Sequence, residues 1–279
     1  MATLARDAAR AAGLLSAIKR GLMHVNFEMR SRLYGAEITV PSIRGMRCDA
    51  TEPFMLEVLR RALAGRPGAV IDVGVNRGQT LVKVKSIDPA RLYVGFEPNP
   101  ACSFYLHELI KANAYQHCTV LPVGLFTRDD VLALLMISDT SSDSAASLIE
   151  DLRPASSVRR VIHVPVMRYE TIAHHLEGKV AVIKIDVEGA ELEVLQTLTP
   201  IIERDRPVVL LEVLPPGLDA TPVRMERQAA IEQLLKSRGY VIDRVLKDAG
   251  GAFVGVERIT DFGVHDDLTR CDYVLSSES

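Results

Sequence analysis

The sequence predicts an α/β fold in which a doubly wound, mostly parallel sheet carries helices on both faces. From residue 69 onward, short apolar runs rich in Val and Ile alternate with segments of helical periodicity. Two of these runs end at an acidic residue and a glycine-bearing turn, in AVIDVGVNRGQT (69–80) and VAVIKIDVEGAELEVL (180–195). This alternation is typical of parallel sheets covered on both sides. With 279 residues, of which 48% are hydrophobic, the chain can bury a full core.

The N-terminal part of the chain has its own pattern. Apolar residues recur at helical spacing through residues 4–25, which predicts an amphipathic helix packed against the domain or against a second subunit. Residues 34–48 are interpreted as strand and turn. Residues 51–63 are predicted to form a second helix, with Thr51 as its N-cap. We assign residues 1–66 to this helical and strand extension.

Residues 67–279 are assigned to one main domain. Its predicted strands are 69–73, 91–97, 119–123, 131–137, 161–167, 180–186, 207–213, 240–246, 253–256 and 272–276. Its predicted helices are 100–112, 170–176, 190–203 and 222–237. The region 131–167 breaks the alternation of strand and helix, and a serine-rich stretch divides it. We interpret that region as an inserted hairpin or flap.

Composition excludes several classes of partner and location. The net charge of −3 favours neither nucleic acid nor an anionic membrane as a partner. The four cysteines form no C-x-x-C pair and no zinc-site spacing, which favours reduced thiols. No apolar run approaches the roughly 18 residues of a membrane-spanning helix, and the first residues lack the apolar core of a secretion signal. We therefore expect a cytoplasmic protein without membrane insertion.

The first motif combines a strand, a tight turn and a helix N-terminus, the arrangement that binds nucleotide-like cofactors at a sheet edge. Its residues Asp72, Gly74, Asn76 and Gly78, followed by Thr80, differ in spacing from the G-x-G-x-x-G pattern of dinucleotide enzymes. A carboxylate at position 72 would repel a pyrophosphate and attract an ammonium group, so S-adenosylmethionine fits the pattern better. The alternative is a plain turn that uses glycine for its geometry and Asp72 as a cap.

A second apolar run, RLYVGFEPNP, ends in Glu97 and continues through Pro98 and Asn99. In Rossmann-like folds, an acid about 20 residues after the glycine turn binds the ribose hydroxyl groups. The two motifs together predict a ligand that contains adenosine. Ligands of open α/β sheets lie outside the carboxyl ends of the strands. We therefore expect Asp72, Glu97 and Asp186, each at such an end, to converge in one crevice.

The third motif places four charged residues around one strand end: Lys184, Asp186, Glu188 and Glu191. A carboxylate at the end of so apolar a run costs free energy unless it has a partner or a function. Lys184 shares a strand face with Asp186, so a structural ion pair is the alternative to a functional role. Glu188 and Glu191 could simply favour the helix macrodipole. Glu212 ends the next strand.

These stretches resemble the FkbM family of S-adenosylmethionine-dependent methyltransferases. The resemblance rests on DVGVNRGQT, FEPNP, KIDVEGAELEVL and RPVVLLEV, and with VPVMRYETI and LLKSRGYVI it covers residues 69–242. Tyr169 and Glu170 stand where the family usually has Leu and Asp. The resemblance implies a class I methyltransferase fold, with a seven-stranded sheet whose last strand is antiparallel. It also implies methyl transfer from S-adenosylmethionine, mostly to hydroxyl groups of sugars and polyketide-type natural products.

The resemblance and the motifs together assign the cofactor site. The residues expected to bind S-adenosylmethionine are Asp72, Gly74, Asn76, Gly78, Thr80, Glu97, Pro98, Asn99, Gly124 and Leu125. By the family pattern, the glycine turn holds the methionine end of the cofactor and Glu97 holds the ribose. Gly124 and Leu125 flank the adenine, and Asp186 with Glu188 lies near the reacting methyl group.

The expected reaction is methylation of a hydroxyl group on a small molecule. An alcohol must lose a proton, and a positioned base contributes about 10²–10⁴-fold. Asp186 is expected to be that base or to orient the hydroxyl, with Glu188 or Lys184 assisting. A Mg²⁺ ion bound by Asp186, Glu188 and Glu212 is a weaker alternative. The rival hypotheses are an NAD- or nucleotide-sugar-dependent enzyme and a non-catalytic cofactor-binding homologue, and a homodimer is a further expectation.

Overall fold

The computed structural model describes residues 25–150, 152, 155–176, 178–217 and 222–277. The helix predicted at residues 4–25 therefore lies outside the described residues, except for Val25. The described strands are β1 (Phe27–Leu33), β2 (Ala36–Ser42), β3 (Ala69–Val73), β4 (Tyr93–Phe96), β5 (Cys118–Leu121), β6 (Gly124–Leu125), β7 (Asp130–Met136), β8 (Arg160–Met167), β9 (Val180–Ile185), β10 (Val208–Glu212), β11 (Tyr240–Lys247), β12 (Phe253–Ile259) and β13 (Asp272–Ser277). The described α-helices are α1 (Pro53–Leu63), α2 (Gln79–Ile87), α3 (Pro100–Ala112), α4 (Tyr169–Ile172), α5 (Glu191–Thr197), α6 (Thr199–Asp205) and α7 (Pro222–Lys236).

The main sheet has eight strands, in the order β12-β11-β13-β10-β9-β3-β4-β5. Strands β5, β4, β3, β9 and β10 are parallel to one another, whereas β13 runs antiparallel between β10 and β11. The predicted class I fold, mostly parallel with an antiparallel last strand, is therefore confirmed. The sheet has one strand more than the seven expected, because β12 adds a hairpin partner to β11 at the edge.

Helices cover both faces of this sheet. Alternate residues of β3 point to opposite faces, so that Val70 belongs to one hydrophobic core while Ile71 and Val73 belong to the other. The first core also contains α1, α2 and α3, and the second contains α5, α6 and α7. All five residues of β3 are buried, and four of them are apolar, as is typical of a strand covered on both faces.

The N-terminal hairpin and α1 pack on the sheet face that α2 and α3 also cover. Strands β1 and β2 pair antiparallel around a turn at Tyr34 and Gly35, so this strand region begins earlier than the predicted segment 34–48. The N-cap of α1 is Glu52 and not Thr51. Thr51 bonds through its own backbone N–H to the Tyr34 hydroxyl, and it makes no cap for the helix.

Two helix predictions need correction. The helix predicted at 190–203 is two helices, α5 and α6, which meet at Leu198. A proline in the first turn of α6 lacks the N–H that a continuous helix would use. The helix predicted at 170–176 is only α4 followed by a 3-10 turn, Ala173–His175. By contrast, α3 has the predicted bounds, with Asn99 accepting a hydrogen bond from the Ala101 N–H at its N-terminus.

The predicted flap is a separate three-stranded sheet, in the order β6-β8-β7. Strands β7 and β8 form the expected antiparallel hairpin, and β6 pairs parallel with the end of β8. Strand β6 has only two residues, which is too short for any periodicity in the sequence. Within the part of the chain that the structure describes, no helix combines the length and the apolar character needed to cross a membrane.

The turn after β3 lies against the end of β9. Gly74 has φ +85°, and a Cβ built on it would lie 1.8 Å from the backbone oxygen of Asp186. Only glycine combines this left-handed conformation with so close an approach. The glycine therefore brings the first and third motifs into direct backbone contact.

Replacing Gly74 by Ala is expected to destabilise the fold more than replacing Gly35, which has nearly the same conformation (φ +87°) and open space around it. The left-handed backbone alone costs roughly 1–3 kcal/mol in either variant, and the collision with Asp186 adds to it only at Gly74. Urea unfolding of Gly74→Ala and Gly35→Ala measures the two losses. Equal losses would contradict the close approach.

Candidate functional site

A cavity of about 260 Å³ lies at the carboxyl ends of β3, β4, β9 and β10, with the flap on one side. The turns that follow β3, β4 and β9 supply much of its wall. Among the described residues, no Lys, Arg or His lines it. Its acidic lining residues are Glu52, Glu97, Asp143, Asp186, Glu188 and Glu212. The strands thus bring the predicted motifs to one crevice with a strong excess of negative charge.

Glu97 is held rigidly in the cavity wall at the end of β4. Its Oε2 accepts a hydrogen bond from the Asn76 N–H (2.7 Å) and its Oε1 accepts one from the Asn99 N–H (2.8 Å). Burial raises the pKa of Glu97 to about 7, although both N–H groups favour the ionised form. Each carboxylate oxygen keeps a further acceptor site. Glu97 can therefore receive a pair of hydroxyl groups from a ligand.

The glycine turn divides into residues that reach the cavity and residues that do not. Gly74 and Asn76 line the cavity, and Asn76 has a left-handed backbone (φ 51°). Gly78 and Thr80, which were expected to contact the cofactor, are not part of the lining. Gly78 packs against Leu106 and Leu109 of α3, and Thr80 is buried within α2. Both residues take part in helix packing. The sequence motif alone does not tell a residue with this role from one that contacts a ligand.

Asp72 lies in β3, fully buried, and does not line the cavity either. Its Oδ2 accepts a hydrogen bond from the Tyr93 hydroxyl, while its Oδ1 lies 3.7 Å from Lys184 Nζ. Among the described residues, no hydrogen-bond donor reaches Oδ1. Burial raises the pKa of Asp72 to about 6, against the lowering effects of Lys184 and Tyr93. The structure thus places Asp72 in the support of the site, away from the ligand space.

Lys184 and Asp186 form the ion pair that was the structural alternative for the third motif. Lys184 Nζ donates to Asp186 Oδ2 at 2.8 Å and lies 3.5 Å from the Gly74 carbonyl oxygen. Burial opposes the charge of Asp186, yet the Lys184 ammonium and a hydrogen bond from Glu212 hold its pKa below the ordinary value. Lys184 does not line the cavity, whereas Asp186 does. Lys184 is thus a positioning residue for Asp186.

Glu212 follows Leu211, which pairs with Ile185, so its side chain stands beside that of Asp186. Burial, together with the neighbouring carboxylates of Asp186 and Asp272, raises the pKa of Glu212 to about 9. The two carboxylates therefore titrate as a pair, in which Glu212 is the member that keeps its proton to higher pH. A Cys271 thiol also lies 3.3 Å from Glu212 Oε1.

Two glutamates follow Asp186. Glu188 lines the cavity with a left-handed backbone (φ 53°). Glu191 lies outside the lining, in the first turn of α5, where its Oε1 accepts a hydrogen bond from the Gly189 N–H at 2.8 Å. Among the described residues, no group of three or more His, Cys, Asp or Glu side chains has the arrangement of a metal site.

The remaining expected contacts lie on the flap side. Gly124, Leu125, Pro98 and Asn99 all line the cavity. Asn99 also donates from Nδ2 to the Ser141 carbonyl oxygen (2.9 Å), which ties the serine-rich loop to the site. The sequence reasoning missed several lining residues. They are Glu52, Cys102, Asp143 and Leu148.

The family model of the FkbM methyltransferase domain matches residues 72–242, more than half of the chain. No curated protein matches the sequence. Among solved structures, the methyltransferase FkbM from Methylobacillus flagellatus is 14% identical, with a TM-score of 0.46, and the match covers 75% of this chain and 43% of that one. This chain thus spans less than half the length of that protein.

Two further structures are similar to this chain. A precorrin-6y C5,15-methyltransferase from Geobacter metallireducens is 12% identical, with a TM-score of 0.39 and coverage of 83% of this chain and 93% of that one. A ribosomal protein L11 methylase from Lactobacillus delbrueckii subsp. bulgaricus is 13% identical, with a TM-score of 0.39 and coverage of 81% and 77%. The family assignment rests on the domain match, which confirms the resemblance seen in the motifs. This chain therefore belongs to the family of FkbM-domain methyltransferases.

Proposed function

We propose that this protein uses S-adenosylmethionine to methylate a hydroxyl group of a small molecule, a sugar or a polyketide-type natural product. The observation that carries the proposal is the charge of the cavity, whose described lining has six acidic residues and no basic one. S-adenosylmethionine carries a sulfonium, an ammonium and one carboxylate, so its net charge is positive, and it has no phosphate. An NAD or nucleotide-sugar pyrophosphate would meet only repulsion from these side chains, so the rival dinucleotide hypothesis is disfavoured.

The residues present fit such a ligand. Glu97 offers two oriented oxygens to the ribose diol, and Gly124 and Leu125 give the flap side a small and apolar wall for the adenine. Gly74 and Asn76 lie at the turn expected to hold the methionine end. When bound, the cofactor supplies a methyl group that is already activated as a sulfonium substituent. The protein must then bind, orient and deprotonate the acceptor.

Asp186 is the group best placed to receive the acceptor hydroxyl. It lines the cavity, and the lowered pKa keeps it ionised at neutral pH. A carboxylate whose pKa is lowered stays ionised and can accept a hydrogen bond from the hydroxyl, but it is a weaker base than an ordinary carboxylate. We infer that Asp186 orients the hydroxyl and accepts its proton late in the reaction. Glu188 and Glu212 provide further acceptors for a polyhydroxylated substrate.

Ligand binding tests the cofactor assignment. S-adenosylhomocysteine is expected to raise the thermal midpoint of the full-length protein, whereas NAD is not. Glu97→Gln is expected to weaken S-adenosylhomocysteine binding roughly tenfold or more, because the amide group would face a backbone N–H donor and lose the charge. Isothermal titration measures this loss.

Glu226→Gln, at an exposed position of α7, is the matched control for that titration. Its affinity should equal that of the wild type. Stabilisation by NAD, or an unchanged affinity in Glu97→Gln, would contradict the assignment.

Asp186→Asn is expected to lower turnover by about 10²-fold or more, the usual contribution of a positioned proton acceptor. Turnover is measured with a labelled methyl donor and a panel of sugar and polyketide-type acceptors. Cofactor affinity is titrated in parallel, so that a binding defect is not taken for a chemical one. Full turnover by the Asn variant would remove Asp186 from the mechanism.

Glu212→Gln is expected to become more stable relative to the wild type as the pH rises from about 5 to 9. The folded protein keeps a proton on Glu212 up to about pH 9, while the unfolded chain releases it near the ordinary value of 4.5. The contribution of Glu212 to wild-type stability therefore falls across this window, and the neutral Gln side chain avoids that loss. Thermal midpoints across the pH series measure the difference, with Glu226→Gln as control. A difference that does not change with pH would show that Glu212 is not protonated.

A further inference from the structure

Glu52 brings a carboxylate into the cavity from outside the FkbM domain match, which begins at residue 72. It is the residue before α1 and has a left-handed backbone (φ 47°, ψ 66°), a conformation that L residues rarely adopt. Its side chain is 34% exposed and so remains accessible to a ligand. No sequence motif marks this position.

Two sets of contacts fix the position of Glu52, one through the preceding residue and one through its own side chain. On the chain, the preceding residue Thr51 is fixed by Tyr34, whose hydroxyl donates to the Thr51 carbonyl oxygen (3.1 Å) and accepts from the Thr51 N–H (3.0 Å). In space, Lys83 Nζ lies 3.1 Å from Glu52 Oε2 and 5.1 Å from the centre of the Tyr34 ring. These contacts lock the carboxylate at the cavity wall.

Lys83 explains why an acid is needed at that place. Its side chain is fully buried on α2, and a buried ammonium is costly without a counter-charge. Among the described residues, Glu52 is the carboxylate in ion-pair contact with it. Only one of the two Glu52 oxygens makes this contact, so the other remains an acceptor for a ligand donor.

Glu52 also lies beside the acids at the strand ends. A small pocket next to the main cavity is lined by Glu52 together with Lys184, Asp186 and Glu212. Glu97, which is expected to bind the ribose, does not line that pocket. Glu52 therefore lies near the ends of β9 and β10, where Lys184 also contacts the carbonyl oxygen of Gly74 in the turn expected to hold the methionine end.

We propose that Glu52 is a cofactor-binding residue that recognises the ammonium group at the amino-acid end of S-adenosylmethionine. This inference rests on the proposed function. The adenosine part of the donor is uncharged, and its amino-acid tail carries an ammonium group that can donate to a carboxylate. Lys83 acts as the positioning residue, since it orients the acid without reaching the cavity itself.

The test compares two ligands that differ in the tail. S-adenosylhomocysteine keeps the ammonium, whereas 5′-methylthioadenosine keeps the adenosine and the sulfur but has no amino-acid group. Glu52→Gln in the full chain is expected to weaken S-adenosylhomocysteine binding by about tenfold or more, the effect of losing a charge-assisted hydrogen bond. Binding of 5′-methylthioadenosine is expected to be unchanged. Isothermal titration gives both affinities without an activity assay.

Glu57→Gln is the matched control, because this acid lies on α1 with a 39% exposed side chain and pairs with Arg61 in the next turn. It should leave both affinities unchanged. Glu52→Gln alone leaves the buried Lys83 ammonium without a counter-charge. The double variant Glu52→Gln/Lys83→Met, which removes both charges, is therefore titrated as well. The same selective loss is expected there.

The outcomes separate this inference from the proposed function. Unchanged affinity for S-adenosylhomocysteine, or equal losses for both ligands in the double variant, would overturn the role of Glu52 and leave the cofactor assignment intact. Failure of the wild-type protein to bind either ligand would overturn both.

Discussion

The ammonium group of Lys184 is the interaction on which the site depends. It joins Asp72 of β3, Asp186 after β9 and the carbonyl oxygen of Gly74 in one buried cluster. Without it, two carboxylates would be held at adjacent strand ends in a medium that screens them poorly. Removing one partner of a buried ion pair typically costs roughly 3–5 kcal/mol. The same cluster fixes the turn after β3 against the end of β9, where Gly74 has no room for a side chain.

In this cluster the Lys184 ammonium compensates the carboxylates of Asp72 and Asp186. Glu97, at the end of β4, lies outside this cluster and faces a cavity whose described lining has no basic residue. Burial raises the pKa of Glu97 and Glu212, because each additional negative charge there is unfavourable. A ligand with positive charge relieves this repulsion, and a ligand with phosphate groups increases it. The acidic lining of the cavity therefore favours a ligand with net positive charge.

The sequence predicts the parts of the fold whose signals are local. Strand β3 has its predicted bounds because glycines flank five buried residues, four of them apolar, and α3 has its bounds because Asn99 and Pro100 mark its first turn. The break at Leu198 depends on one proline within an otherwise helical pattern. Gly78 and Gly74 look alike in the motif, but one packs on a helix and the other on a strand end. Only the three-dimensional arrangement distinguishes them.

Glu52 shows a different limit of sequence reasoning. Its partner Lys83 is 31 residues away in the chain, and the two meet because the hairpin and α1 share one hydrophobic core with α2 and α3. The N-terminal segment is consequently part of the cavity wall, although the family match starts after it. A contact of this kind leaves no periodicity and no motif, since its two residues are brought together only by tertiary packing. The packing of the N-terminal hairpin and α1 thus determines the position of the Glu52 carboxylate. Substitutions in the hairpin turn at Tyr34 would therefore act on the cavity through Thr51 and Glu52.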